Sequence, residues 1–360
     1  MPALVSIVLA VRDDAQRLPR SVQSIKDQTF EDWELIVVDD GSRDDSLAIA
    51  EAFAAGDSRI RVVAGERAGV APARNLAMEK ACGRWIAVAD SDDFWHPEKL
   101  ERQLEFLAAN PSVGLTGTSG YRLSAGARRL STYDLGPTSL EEFRQHREAA
   151  TPFGLIHASV LFRRNLLEQL GGYPTDYPLG LDLAYFNLRL APHTDVLTLP
   201  ERLVSAEIRP DSIQRRQVRH AYDVYQAVAL NLRRQRDGLP ELSYAEAIAT
   251  LSGGALSGRL SHERRRKRHR HYTLGASALA GGSLRGLIHL AAAFLIAPVH
   301  TIGRFASQAA SLALDRLRGL RIALRNPTDS KDLTSFPHGI AMHAQRSRTT
   351  CHRVSIVPTS

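Results

Sequence analysis

Trp85-Ile86-Ala87-Val88-Ala89-Asp90-Ser91-Asp92-Asp93 carries an apolar run straight into three carboxylates. Five residues rich in Ile, Val and Ala read as a buried strand of an α/β sheet, where ligands collect outside the carboxyl ends of the strands. Asp90 and Asp92 are one residue apart, so in a turn both can reach one hard divalent ion. A Mg²⁺ or Mn²⁺ held this way completes its shell with phosphate oxygens, which suggests a nucleoside diphosphate. The alternative is that Ser91, Asp92 and Asp93 only turn the chain and cap a helix after His96-Pro97. The stretch alone leaves both open.

Outward from it, the chain repeats one alternation. Val5 to Val11 reads as a first buried strand, followed by a helix with Leu18, Val22 and Ile25 on one face. Leu35 to Val38 is a second, ending in Asp39-Asp40-Gly41-Ser42 before a helix carrying Leu47, Ala50 and Phe53. Ile60 to Val63 is a third, a helix covers about 72 to 81, and the Trp85 strand is the fourth. Strands alternating with helices imply parallel pairing and right-handed crossovers, so both aspartate clusters should lie at one edge and face one cleft. A further helix is expected from Pro97 to Asn110 and strand-like sequence at Val113. Residues 121–150 read as an irregular insertion over the cleft, where an acceptor could bind. His157 to Phe162 reads as a strand, followed by a helix to Leu170, a Gly171-Gly172-Tyr173 turn, a helix through Asp182 to Leu190, and a closing strand from Glu201 to Ile208.

With these segments placed, the chain resembles the family-2 glycosyltransferases, whose catalytic domain has the GT-A fold. The resemblance is ordered and multi-part. It runs through Val5-Ser6-Ile7-Val8, Gln28 to Ser42, Gly69 to Asn75 with its Ala73-Arg74-Asn75 ending, Asp90-Ser91-Asp92-Asp93, His157 to Arg164, Gly171-Gly172-Tyr173, and Asp182 with Leu188 to Ala191. It implies an α/β fold of GT-A type over residues 1–215, a Rossmann-like mixed sheet with helices on both faces, followed by a helical C-terminal region.

The resemblance also implies roles. Asp90-Ser91-Asp92 looks like the family's metal motif, with Asp92 the direct ligand of Mn²⁺ or Mg²⁺ and Asp90 on the ribose or on metal-bound water. Asp93 helps position them. Asp40 would read the N3–H of uracil, with Asp39 in support, and Arg74 would pair with a phosphate or with an acid of the cleft. Asp182 stands where the family places its catalytic base, but the preceding glutamate is replaced by Leu181. The opening strand departs as well: where the family has Pro-x-Tyr-Asn, this chain has Ala10-Val11-Arg12-Asp13, so Arg12 would stack on the base or approach the phosphates in place of an aromatic ring. A nucleotide-sugar donor, UDP-linked by preference, and a glycan or lipid-linked acceptor follow. Leu181 and Arg12 also motivate a different reading, a non-catalytic member that binds a nucleotide sugar or scaffolds an assembly. His157 reads as a core or edge histidine.

The 360 residues carry a net charge of +7, much of it in the run from Arg264 to His271 and beyond. The two cysteines lie far apart, which excludes a disulfide framework or thiolate metal site, and the N-terminal sequence suggests no leader. A cytoplasmic protein at the inner face of the plasma membrane fits. Residues 216–325 read as helical and basic, and 326–360 as a disordered tail. The apolar stretch from Gly286 to Pro298 is short for a span, but beside several arginines it suits peripheral contact with an anionic membrane. Nucleic-acid binding is not expected, because the basic run lacks interleaved stacking aromatics. No GxGxxG follows the first strand, which sets aside a dinucleotide-binding dehydrogenase.

Overall fold

The computed structural model describes residues 3–124, 128–177, 189–207, 218–253, 263–264 and 266–267. The alternation appears as β1 (Val5–Val11), α1 (Leu18–Lys26), β2 (Trp33–Asp39), α2 (Ser46–Gly56), β3 (Ile60–Ala64), α3 (Val70–Lys80) and β4 (Trp85–Asp90). Then come β5 (Asp93–Trp95), α4 (Lys99–Ala109), β6 (Val113–Leu123), β7 (Arg129–Tyr133), α5 (Leu140–Glu148), a 3₁₀ turn (His157–Ser159), β8 (Leu161–Arg163), α6 (Leu166–Leu170) and β9 (Asp195–Glu207). Two further helices are α7 (Val218–Arg236) and α8 (Tyr244–Ser252).

One mixed sheet runs in the order β3-β2-β1-β4-β8-β6-β9-β5, with β7 added to β6. The first four strands pair in parallel, whereas β8 is antiparallel to β4 and β6, and β5 is antiparallel to β9. Apolar runs such as Leu35 to Val38 and Ile86 to Ala89 are buried on both sides of the sheet, which is why they show no alternation. The chain steps from β1 to β2 to β3 in one direction and then returns past both to β4. With right-handed crossovers, that reversal puts α3 on the face opposite α1 and α2 and opens a crevice between the carboxyl ends of β1 and β4.

Several expectations need correction. Residues 121–150 are not an irregular insertion: β6 continues to Leu123, and β7 and α5 follow. The residues of β7 are largely exposed and leave no apolar pattern. Its hairpin with β6 is held instead by cross-strand contacts, the Arg129 guanidinium 3.7 Å from the Tyr121 ring centre and that of Arg122 4.0 Å from Tyr133. The strand expected from His157 to Phe162 begins only at Leu161. Ser159 draws the preceding backbone into a turn, its Oγ donating to the Ile156 carbonyl at 2.7 Å and accepting from Thr118 N–H at 3.0 Å. Leu47 is exposed because α2 turns Ser46 and Ala50 inward. The expected boundary at 215 and the helix through Asp182 lie outside the described residues, as does most of the sequence beyond 253, including the apolar stretch 286–298 and the tail. Among the described residues no helix is long and apolar enough to cross a membrane.

The long parallel pair of β6 and β9 allows no side chain at Gly120, where a Cβ would lie 2.5 Å from the Val204 carbonyl oxygen and 2.9 Å from its Cγ1. Gly120→Ala is therefore expected to destabilise the fold by about 1–3 kcal/mol. Urea unfolding of the two proteins checks this.

Candidate functional site

The register of β1 builds the site. Val11 pairs with Asp39 on one side and Ala10 with Asp90 on the other, so the carboxyl ends of β2 and β4 flank the same strand end. The two aspartate clusters thus meet at one edge, beside the crevice, with Ala10 half-buried between them.

Asp39 and Asp40 are both buried. Asp39 accepts the Ser42 N–H on Oδ2 at 3.0 Å, closing the Asp-Asp-Gly-Ser turn, and its Oδ1 is buried with no hydrogen-bond partner. Asp40 accepts on Oδ2 from Arg12 Nη1 at 3.2 Å and from Gly69 N–H at 2.9 Å, leaving its Oδ1 buried and unpartnered too. Gly69 sits at φ +108°, a conformation that favours glycine, at the start of α3. The carboxylates therefore serve the turn and also keep a buried acceptor oxygen each, while the helix that follows has Asp45 at its N-cap. Arg12 is neither stacked nor in solvent alone; it is anchored on Asp40.

Arg74 is buried on α3 and ion-paired through Nη2 with Asp90 Oδ1. The pairing with an acid of the cleft is thus the one seen. Its guanidinium also lies 5.7 Å from the Tyr173 ring centre, and Tyr173 Oη is 3.2 Å from His157 Nε2. Two motifs that are separate in sequence are here one contact. The Asn75 side chain donates to the Tyr173 carbonyl at 3.0 Å and accepts from its N–H at 2.7 Å, and a Cβ on Gly172 would collide with Asn75 Oδ1. The glycine is required by that approach.

The turn after β4 is held from the side of α1. Ser21 Oγ donates to the Asp90 carbonyl at 2.8 Å, and Ser91 Oγ donates to Asp14 Oδ2 at 2.6 Å. Asp14 in turn receives Arg17 Nη1 at 2.7 Å. Asp93 opens β5 opposite Ala206, so no helix begins at this turn and the capping alternative is not what the segment does. Asp14 and Ser21 were not legible as site residues, and Asn75 stood only as the end of its motif. Their parts show in bonds to the Ser91 hydroxyl, the Asp90 carbonyl and the Tyr173 backbone.

A metal can be tested against this donor set. Among the described residues no group of three or more His, Cys, Asp or Glu could hold an ion. Asp90 and Asp92 are partly buried and contribute hard oxygens. Mg²⁺ is usually held by one or two carboxylates, with phosphates and water supplying the rest, and the pair fits that pattern. Asp182 lies outside the described residues.

A sheet with an acidic pair at its topological switch point and a second acidic turn across one strand defines the GT-A class of α/β proteins. Crystalline S. aureus TarS shares the fold, with a TM-score of 0.51 at 16% identity over 78% of this chain and 49% of that one. The sequence pattern described as "Glycosyl transferase family 2" matches residues 6–171. Relatives include the Bacillus subtilis (strain 168) "Putative teichuronic acid biosynthesis glycosyltransferase TuaG", 43% identical over 29% of this chain and 42% of that protein. The Escherichia coli "UDP-Glc:alpha-D-GlcNAc-diphosphoundecaprenol beta-1,3-glucosyltransferase WfgD" is 41% identical over 30% and 42%. The chain thus spans less than half the length of these two relatives.

Burial, reinforced by the nearby Arg74 cation and partly offset by Asp90, lowers the His157 pKa to about 3. The folded form then binds fewer protons than the unfolded form between that value and about 6.5. Its contribution to stability is full above about pH 6.5 and is lost as pH falls toward 3. His157→Gln removes that dependence, so the stability difference between wild type and variant is expected to shrink with acidification by up to about 1.4 kcal/mol per pH unit. Chemical unfolding across this range reads it.

Proposed function

We propose that the chain is an inverting glycosyltransferase that moves a sugar from a nucleoside-diphosphate sugar, UDP-linked by preference, to a glycan or lipid-linked acceptor in cell-surface polysaccharide or glycolipid synthesis. The carrying observation is the pair of acid-bearing strand ends on either side of β1, with a buried, unpartnered carboxylate oxygen on each of Asp39 and Asp40. An unpartnered buried acceptor calls for a donor, and the imide N–H of uracil is one. Arg12, anchored on the other oxygen of Asp40, has N–H groups left for a base carbonyl or a phosphate.

Asp92, with Asp90, would hold Mn²⁺ or Mg²⁺, which when bound supplies positive charge to the departing diphosphate. Arg74 fixes Asp90 in place and adds a second cation behind it. Asp182 would take the proton from the acceptor hydroxyl as its oxygen attacks the anomeric carbon. The names of WfgD and TuaG, a UDP-glucose-dependent enzyme acting on a lipid diphosphate and a teichuronic acid enzyme, support the donor and acceptor classes. Such an acceptor places the work at the inner face of the plasma membrane, where the basic residues from Arg264 onward would meet anionic headgroups.

Incubation with a panel of nucleotide sugars and membrane-extracted acceptor is expected to release nucleoside diphosphate only when Mn²⁺ or Mg²⁺ is present. Asp182→Asn should lower release by roughly 10²–10⁴-fold while donor affinity is kept, and Asp92→Ala should lose metal-dependent donor binding. Normal turnover by Asp182→Asn would remove that residue as the base. Donor binding with no release from any acceptor would point to the non-catalytic reading.

A further inference from the structure

A cavity of about 480 Å³ opens at the opposite edge of the sheet, where β1, β2 and β4 begin and β8 ends. β4 separates it from Asp90 by about 20 Å at the usual rise per residue. Its walls are fixed. Arg163 pairs with Trp85 across β8 and β4, the Arg164 N–H donates to the Arg84 carbonyl at 3.0 Å, and Arg164 Nε donates to the Gly83 carbonyl at 2.8 Å. Gly83 is needed there, since a Cβ would lie 2.6 Å from the Ser6 nitrogen.

Three arginines, Arg84, Arg163 and Arg164, line this cavity, with Asp32 the one acidic residue. Several arginines elsewhere in this fold are matched with carboxylates: Arg12 with Asp40, Arg59 with Asp57, Arg61 with Glu34, Arg74 with Asp90. Here, among the described residues, none of the three has a carboxylate partner. Arg163 donates through Nη2 to the Pro111 carbonyl, and its Nε is buried with no acceptor. Arg84 is exposed, and its side chain makes no hydrogen bond among the described residues. Three guanidinium groups against one carboxylate around a cavity of ligand size leave an excess of positive charge, and guanidinium forks match the geometry of phosphate oxygens. Leu4 adds an apolar wall, which suits an organic phosphate.

We infer that this cavity is a second anion site, taking a phosphate or diphosphate group, separate from the donor site at the far end of β4. The group could belong to a soluble phosphate compound or to a lipid headgroup, and the two sources can be told apart. Cys82 is exposed and lines the cavity, so its alkylation by iodoacetamide, followed by peptide mass spectrometry on the full chain, reports occupancy. Inorganic pyrophosphate without divalent metal is expected to slow Cys82 alkylation if the source is soluble. Phosphatidylglycerol vesicles, and not phosphatidylcholine vesicles, do so if it is a headgroup. Arg84→Glu should raise the half-protecting concentration by roughly tenfold or more, with Arg84→Gln shifting it in the same direction. Asp92→Ala, at the other edge, should leave protection intact. Alkylation unaffected by both probes, equal effects of the two vesicle types without pyrophosphate protection, or undiminished protection in Arg84→Glu would overturn the inference.

Discussion

Asp39, Asp40, Asp90 and Asp92 are crowded along one edge of one sheet, and two arginines make that crowding tolerable. Arg12 sits on Asp40, and Arg74 is buried against Asp90. Charges this close and this poorly hydrated repel strongly unless a cation stands between them. Removing one partner of a buried pair typically costs about 3–5 kcal/mol, so the geometry of the edge and the stability of the domain are linked. The register of β1 between β2 and β4 brings the acids to one edge, and the two cations offset part of their charge there.

The same link explains which parts of the site could be read from residues alone. Strands β1 to β4 are buried on both faces, and their apolar runs end where the acids begin, so fold class and acidic edge were legible together. Elements held by polar contacts were not. β5 is three residues long and pairs with a strand about a hundred residues later. β7 is stabilised by guanidinium-on-ring contacts and carries no apolar period. The turn at His157 is set by the Ser159 hydroxyl, which competes with strand pairing.

Site residues divide along the same line. Asp39, Asp40, Asp90 and Arg74 could be placed by motif, whereas their supports could not. Asn75 shows its part only when Tyr173, far along the chain, is seen bonded to it twice. Lys99 is a further case: it lies in the first turn of α4 and is fully buried. Its Nζ lies 2.9 Å from Gln103 Oε1 and 3.8 Å from the Trp95 ring centre, and burial lowers its pKa well below the ordinary lysine value. Through Gln103 and Trp95, which bond the carbonyls of Ser159 and Ala158, it ties the acidic turn's following strand to the turn bearing His157.

In the proposed function Asp40 would recognise the donor base and Asp92 would act through the metal, two roles that one ligand can separate. Calorimetric titration of UDP into the full chain, with and without Mn²⁺, tests this most directly. Asp40→Asn is expected to weaken UDP by roughly tenfold or more in both conditions, since it replaces a buried acceptor with an amide. Asp92→Asn is expected to weaken it only when Mn²⁺ is present. UDP binding that is unchanged by Asp40→Asn would contradict the assignment of this strand edge as the nucleotide site.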